Sequence, residues 1–328
     1  MNKEVALIYQ QNTIGGDVAV FDETKVYKEV GRLDLGGNFK ADSVALSADY
    51  GELYVNGSTR MHCWQNPLAD NESVFAAFDA HTLEERWRVP LVGQVEHFAI
   101  SPDRRYVYNA HYDRKMVSRV DTQTQEVTPI SIANLGGHKV RVSADGTRVY
   151  VGSIVWGSLD EIDAEKMKWK RHLTFEDNVR PFALTPDGKT AYVQLSRFHG
   201  FKIVDLESLK VTGSVDLPEL PADHPVSEAQ YPFTSDHGAE ITPDGRHAIF
   251  LATTGHYAAV YRLPELELVT TIELGMQPSY LTVSKDCKLA YISCRASGEL
   301  YVVSLENFAI KHVLKNVGAF PQRVCVDH

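Results

Sequence analysis

Phe182–Leu195 reads FALTPDGKTAYVQL: an apolar run, a Thr-Pro-Asp-Gly turn, then a second apolar run carrying Ala-Tyr-Val. Proline presets the turn backbone, aspartate hydrogen-bonds its own main chain and glycine accepts a positive φ, so the phrase spells strand, reversal, strand. It recurs. VALSADYG, FAISPDRR, VRVSADGT, AEITPDGR and LTVSKDCK repeat it, and the Ser or Thr that opens each turn is Ser47, Ser101, Ser143, Thr185, Thr242 or Ser284. These anchors lie 54, 42, 42, 57 and 42 residues apart. That is a repeat of about 42 residues with two insertions, the period of a propeller blade.

The rest of each unit is equally regular. After the Tyr-Val strand a polar loop leads to a third strand ending at an aspartate turn (AAFDAHT, SRVDTQT, DEIDAEK, KIVDLES), and a fourth strand follows (RWRVPL, VTPISI, TGSVDL, VTTIEL). β-branched and aromatic residues between turn signals predict four antiparallel strands per unit. Six whole units fill 40–316. The N-terminal VALIYQQ, GDVAVFDET and EVGRLDL lack a first strand, and the C-terminal FPQRVCVDH is a first strand alone. The expected fold is therefore an all-β, seven-bladed β-propeller of four-stranded antiparallel blades, one domain over 1–328. Blade 1 combines 1–36 with 319–328, which closes the ring and removes its open edges, and the insertions are 57–73 and 218–236,.

The DG-x-x-(A/V)-YV phrase at this spacing resembles the YVTN-type propellers, a group that includes the lactonase-like seven-bladed proteins. The resemblance covers nearly the whole chain but rests on folding grammar. It implies sugar-lactone hydrolysis, muconate lactonisation, a cofactor-bearing subunit or non-catalytic binding, because all of these occur on the scaffold.

Composition narrows the classes. The 328 residues are 44% hydrophobic with net charge −10, which supports a large core and disfavours nucleic acid or an anionic membrane as partner,. No apolar run reaches the length of a membrane span or signal peptide, and the four cysteines, Cys63, Cys287, Cys294 and Cys325, show no metal spacing,. The expectation is a cytoplasmic protein with reduced thiols. No G-x-S-x-G, Walker or dinucleotide glycine pattern occurs,.

Loops joining strand four to the next blade share a face with the loops between strands two and three, and both insertions fall there. That face is the expected mouth. Arg60, Arg114, Arg197 and Arg295 sit in its loops, and Lys139, Arg180 and Arg323 sit where first strands begin. Arginine suits bidentate carboxylate or phosphate contacts, so these seven, with Tyr280, are candidates for binding a small anion. Counted five and four before each anchor, the first strands read Asp42-Ser43, Glu96-His97, His138-Lys139, Arg180-Pro181, His237-Gly238, Ser279-Tyr280 and Gln322-Arg323. The apolar residues three before (Val44, Phe98, Val140, Phe182, Ala239, Leu281, Val324) are expected between blades. Two before, Arg141 and Glu240 interrupt a row of small residues and are expected to pair in the channel,.

Seven of 13 histidines map to the mouth: His62, His97, His111, His138, His199, His237 and His256. His97, His138 and His237 with Glu96 are the candidate acid-base set, and the same three histidines are candidate ligands for one divalent metal ion. Any other cofactor stays unknown. Two functions stay open: an enzyme acting on a small anionic metabolite, by lactone hydrolysis or a lyase or isomerase step, and a non-catalytic propeller that binds a ligand or a partner protein on the same face.

Overall fold

The computed structural model describes residues 6–47, 49, 51–59, 72–219 and 234–327. These residues form seven four-stranded antiparallel sheets. Six follow chain order, with inner strands Lys40–Leu46, Val95–Ile100, Gly137–Val142, Val179–Leu184, Ala239–Ile241 and Pro278–Val283 in blades 2 to 7. Blade 1 is composite. Its inner strand, Pro321–Val326, pairs with Leu7–Asn12 through Ile8–Val326, Tyr9–Cys325 and Gln10–Val324. The all-β seven-bladed ring and its closure stand as expected. No helix among the described residues is long and apolar enough to cross a membrane.

The repeated turn has a chemical cause. In all six, the anchor hydroxyl donates to the aspartate two residues on at 2.5–2.7 Å. The same oxygen accepts the backbone N–H five residues on at 2.9–3.0 Å. One side chain thus closes both ends of the hairpin, which is why Ser or Thr, then Asp, recurs at fixed offset.

Packing is also periodic. Seven apolar clusters fill the junctions between neighbouring blades. The residues three before each anchor enter them, from Val44 at the first junction to Val324 where blade 7 meets blade 1. The first insertion is shorter than expected, because Gly57 and Ser58 pair with Val74 and Ser73 inside blade 2. Residues 60–71 and 220–233, with Arg60 and His62, lie outside the described residues.

Arg141 and Glu240 do pair, at 2.7 Å. They come from blades 4 and 6, so the guanidinium must cross blade 5, where the facing residue is Ala183. Its Nε donates to Phe182 O and one terminal nitrogen to Ala239 O, each at 3.1 Å. Both side chains are less than a quarter exposed. Glu240→Ala strands a half-buried cation and is expected to cost about 1–2 kcal/mol, lowering the melting temperature a few degrees by calorimetry, whereas Glu240→Gln costs less.

Candidate functional site

In six of the seven inner strands the ladder slips at one place: across Ala41/Ser43, Val95/Phe98, Gly137/Val140, Val179/Phe182, Pro278/Tyr280, and opposite Gln10/Asn12 in blade 1. A bulge breaks strand alternation and re-aims side chains. Here the slips fall at or beside the aligned pairs, from which His97, His138, Arg180, Tyr280 and Arg323 reach the axis.

The groups so delivered meet. His97 packs edge-on against His138 with ring centroids 4.5 Å apart, and His138 against His237 at 5.5 Å. Tyr280 touches His97 at 5.0 Å and His237 at 4.8 Å. The Tyr280 hydroxyl lies 2.5 Å from His97 Nε2 and 3.4 Å from a terminal nitrogen of Arg323. Arginine can only donate, so the phenol oxygen accepts from Arg323 while sharing a hydrogen bond with His97,. His237 Nδ1 donates to Ser279 O at 3.0 Å, which leaves its Nε2 lone pair available. His138 differs from both: its Nδ1 is buried and, among the described residues, without a hydrogen-bond partner.

Arg323 lies over the Tyr280 ring at 4.8 Å and bonds the Asp42 carboxylate at 3.1 Å. Arg180 donates to Ser196 Oγ at 2.7 Å, and Arg295 to Gln277 Oε1 at 2.9 Å. Gln94 donates to Glu96 at 3.0 Å. Gln94 and Gln277 escaped the sequence reading, although both stand seven residues before an anchor, an offset that could have found them.

Charge in this cluster is lopsided. Glu96, His97, His138, Arg180, His237, Arg295 and Arg323 are all buried. Burial, helped by the Asp42 carboxylate, pushes the Glu96 carboxyl up to about 8. Burial and then Arg323 push His97 well below its ordinary range, burial and His237 do so for His138, and burial and Arg180 for His237. Burial also lowers Arg295 to about 10. At neutral pH the site holds three neutral imidazoles, a protonated Glu96 and an excess of arginine over carboxylate.

Stability should follow. Each histidine is neutral when folded but takes up a proton below about 6.5 when unfolded, so its stabilisation is present above that pH and lost as pH falls. Glu96 acts in the opposite sense between about 4.5 and 8, but three imidazoles outweigh one carboxyl,. Melting temperature should therefore drop steeply from pH 6.5 to 5, with a slope near 1.4 kcal/mol per pH unit per histidine. Thermal melts of His138→Gln should show the net slope reduced by about half if the three contribute equally, because Glu96 already offsets one of them,; an unchanged slope would mean the imidazole is already charged.

Other candidates fall elsewhere. Arg114 is pulled to Asp113 at 3.1 Å with its side chain 43% exposed. Arg197 is exposed in its loop. Neither joins the cluster, because loop backbone, not strand, carries them. His111 is tied to Val92 O and Ser118, and His256 accepts from the Gln277 backbone. His199 bridges the ends of the second insertion, contacting Asp236 at 3.0 Å and Pro218 O at 3.1 Å. Cys294 is buried, and burial raises its thiol, which disfavours the thiolate.

The metal expectation finds no support: the three histidine rings stack edge to face. Among the described residues no group of three His, Cys, Asp or Glu side chains could hold a metal ion. The described cavity, about 620 Å3, also lies on the side away from the expected mouth. Its lining runs from His97, Lys139, Tyr280 and Arg323 to Pro102, Arg104, Pro243 and Lys285 in the repeated turns. Lys139 thus faces this turn-side chamber, while Glu96, His138, Arg180, His237 and Arg295 do not line it.

No family model matches the chain, and no curated protein matches it. Solved structures match in fold. The periplasmic gluconolactonase of Pseudomonas aeruginosa superposes with a TM-score of 0.76 at 14% identity, covering 98% of this chain and 99% of that one. A putative 6-phosphogluconolactonase from Bacteroides fragilis gives a TM-score of 0.74 at 13% identity over 100% and 99% of the two chains. Hydrazine synthase of Kuenenia stuttgartiensis gives 0.53 at 18% identity over 80% and 95%. At such identities the likeness establishes the seven-bladed fold shared with lactonase-type propellers.

Proposed function

We propose that the chain is an enzyme that hydrolyses a small anionic lactone, carboxylated or phosphorylated, at the axial cluster. One observation carries this reading: buried Arg180, Arg295 and Arg323 surround neutral imidazoles, one of which, His138, has a buried nitrogen with no partner among the described residues. A buried excess of arginine over carboxylate favours an anionic ligand, and an unprotonated buried imidazole is a ready general base. The naming of two fold neighbours as lactonases points the same way.

In this reading Arg180 and Arg295 hold the anionic group and the carbonyl oxygen. His138 Nδ1 takes a proton from water as the water oxygen bonds to the carbonyl carbon. The ring C–O bond then breaks, and the leaving oxygen takes the Glu96 proton. The product is a hydroxy acid, and transfer of the proton from His138 to Glu96 restores both groups. His97 is held by Tyr280 and so positions the ring of His138.

The test is proton release from 6-phosphogluconolactone and from gluconolactone in weak buffer. Acceleration of the phosphorylated substrate beyond that of the neutral one is expected. Folded protein that leaves both at their spontaneous rate, yet binds the hydroxy-acid products, would replace the enzyme reading with a non-catalytic binder.

A further inference from the structure

The turn-side chamber is a separate compartment. It takes residues from the inner strands of blades 1, 2, 3, 4, 6 and 7 and none from blade 5, because Arg141 lies across that blade. A volume near 620 Å3 is that of a metabolite site,. Its closed end is the layer of His97, Tyr280, Arg323 and Lys139, and its rim carries the exposed Arg104 and Lys285.

Charge in the chamber does not balance. The one carboxylate among its lining residues, Glu240, is committed to Arg141. Arg323 is committed to Asp42. Lys139 has no ion pair or hydrogen bond among the described residues, and its nearest marked contact is the Tyr280 ring, 6.0 Å from Nζ. A partly buried amine on the wall of this chamber, unmatched by any carboxylate, favours an anion,.

We propose that the turn-side chamber binds a small oxyanion, a carboxylate or phosphate compound entering between the repeated turns, with Lys139 as its principal ligand. The site shares the layer of His97, Tyr280 and Arg323 with the axial cluster but lies on its other side, and it does not depend on the lactonase reading. The groups around Lys139 are Arg141 on its own strand, Arg323 from blade 1, His97 from blade 3, Glu240 from blade 6 and Tyr280 from blade 7, with the adjacent His138 behind. Burial and then Arg141 push the amine well below its ordinary range, and only Glu240 opposes them. Binding an anion should therefore draw a proton onto Lys139.

Isothermal titration of the full chain with inorganic phosphate, and separately with succinate, reads this directly. One saturable site is expected for at least one probe, and which probe binds identifies the oxyanion. Arg180→Gln, on the other side of the layer, should keep it. Lys139→Met should weaken binding at least tenfold. Lys139→Arg, which keeps the charge, should keep most of the affinity. No saturable binding of either probe, affinity unchanged in Lys139→Met, or affinity lost in Lys139→Arg as fully as in Lys139→Met would each overturn the proposal. Loss in Arg180→Gln with retention in Lys139→Met would move the anion to the axial cluster.

Discussion

Deleting Phe320–His328 should unravel the ring. The segment supplies the inner strand of blade 1, its ladder to Ile8, Tyr9 and Gln10, and the Asp327 carboxylate that accepts from Leu7 N–H at 2.8 Å. It also supplies Val324, which completes the junction between blades 7 and 1. Its loss exposes the edge of Leu7–Asn12 and opens two junctions at once. Two to three apolar side chains returned to water, with their ladder bonds, amount to at least about 5 kcal/mol. That is a large part of the stability of a typical domain. The expected result is a melting temperature at least about 10 °C lower, with aggregation through the freed edge. A synthetic peptide of residues 318–328 should restore much of the loss. Unchanged melting of the truncated chain would refute closure through this strand.

The second large effect concerns turnover. His138→Ala is expected to lower lactone hydrolysis by about 10²–10⁴, the usual contribution of a general base, without lowering the melting temperature much. The fold should tolerate the change because the lost nitrogen has no partner among the described residues. The pH profile distinguishes catalysis from placement. With His138 well below its ordinary range, the rate should stay flat down to mildly acidic pH. It should fall above about 8 as Glu96 loses the proton needed by the leaving oxygen. Glu96→Gln should lower the rate and remove that alkaline limb. Full activity in His138→Ala, or an alkaline limb that survives in Glu96→Gln, would strip these residues of their roles.

The cationic character of the axis was legible in the sequence, but its membership was only partly so. Arg180, Arg295 and Arg323 enter the cluster because strand backbone or an adjacent glutamine fixes them. Arg114 and Arg197 carry the same chemistry on loops and turn to neighbours or solvent. The histidines divide for the same reason. His97, His138 and His237 lie at bulged or opening inner-strand positions, while His111, His199 and His256 are spent on backbone carbonyls, turns and the second insertion.

The sequence by itself determined the number of blades, the strand order, the closure of the ring and the residues that pack between blades. Each of these is written locally: a hydroxyl and a carboxylate two positions apart make the turn, and alternation makes the strand. It also exposed the Arg141–Glu240 pair, because two charges in a row of small residues must be matched. Tertiary structure decided the rest. A bulge no single strand announces re-aimed the side chains at the starts of six inner strands. Contacts such as His97–Tyr280, 183 residues apart, then set hydrogen-bond roles and charge states. Depth placed Lys139 in a different chamber from its neighbour His138. Turn and strand chemistry act over a few residues, whereas desolvation and convergence depend on what the whole ring brings to one point.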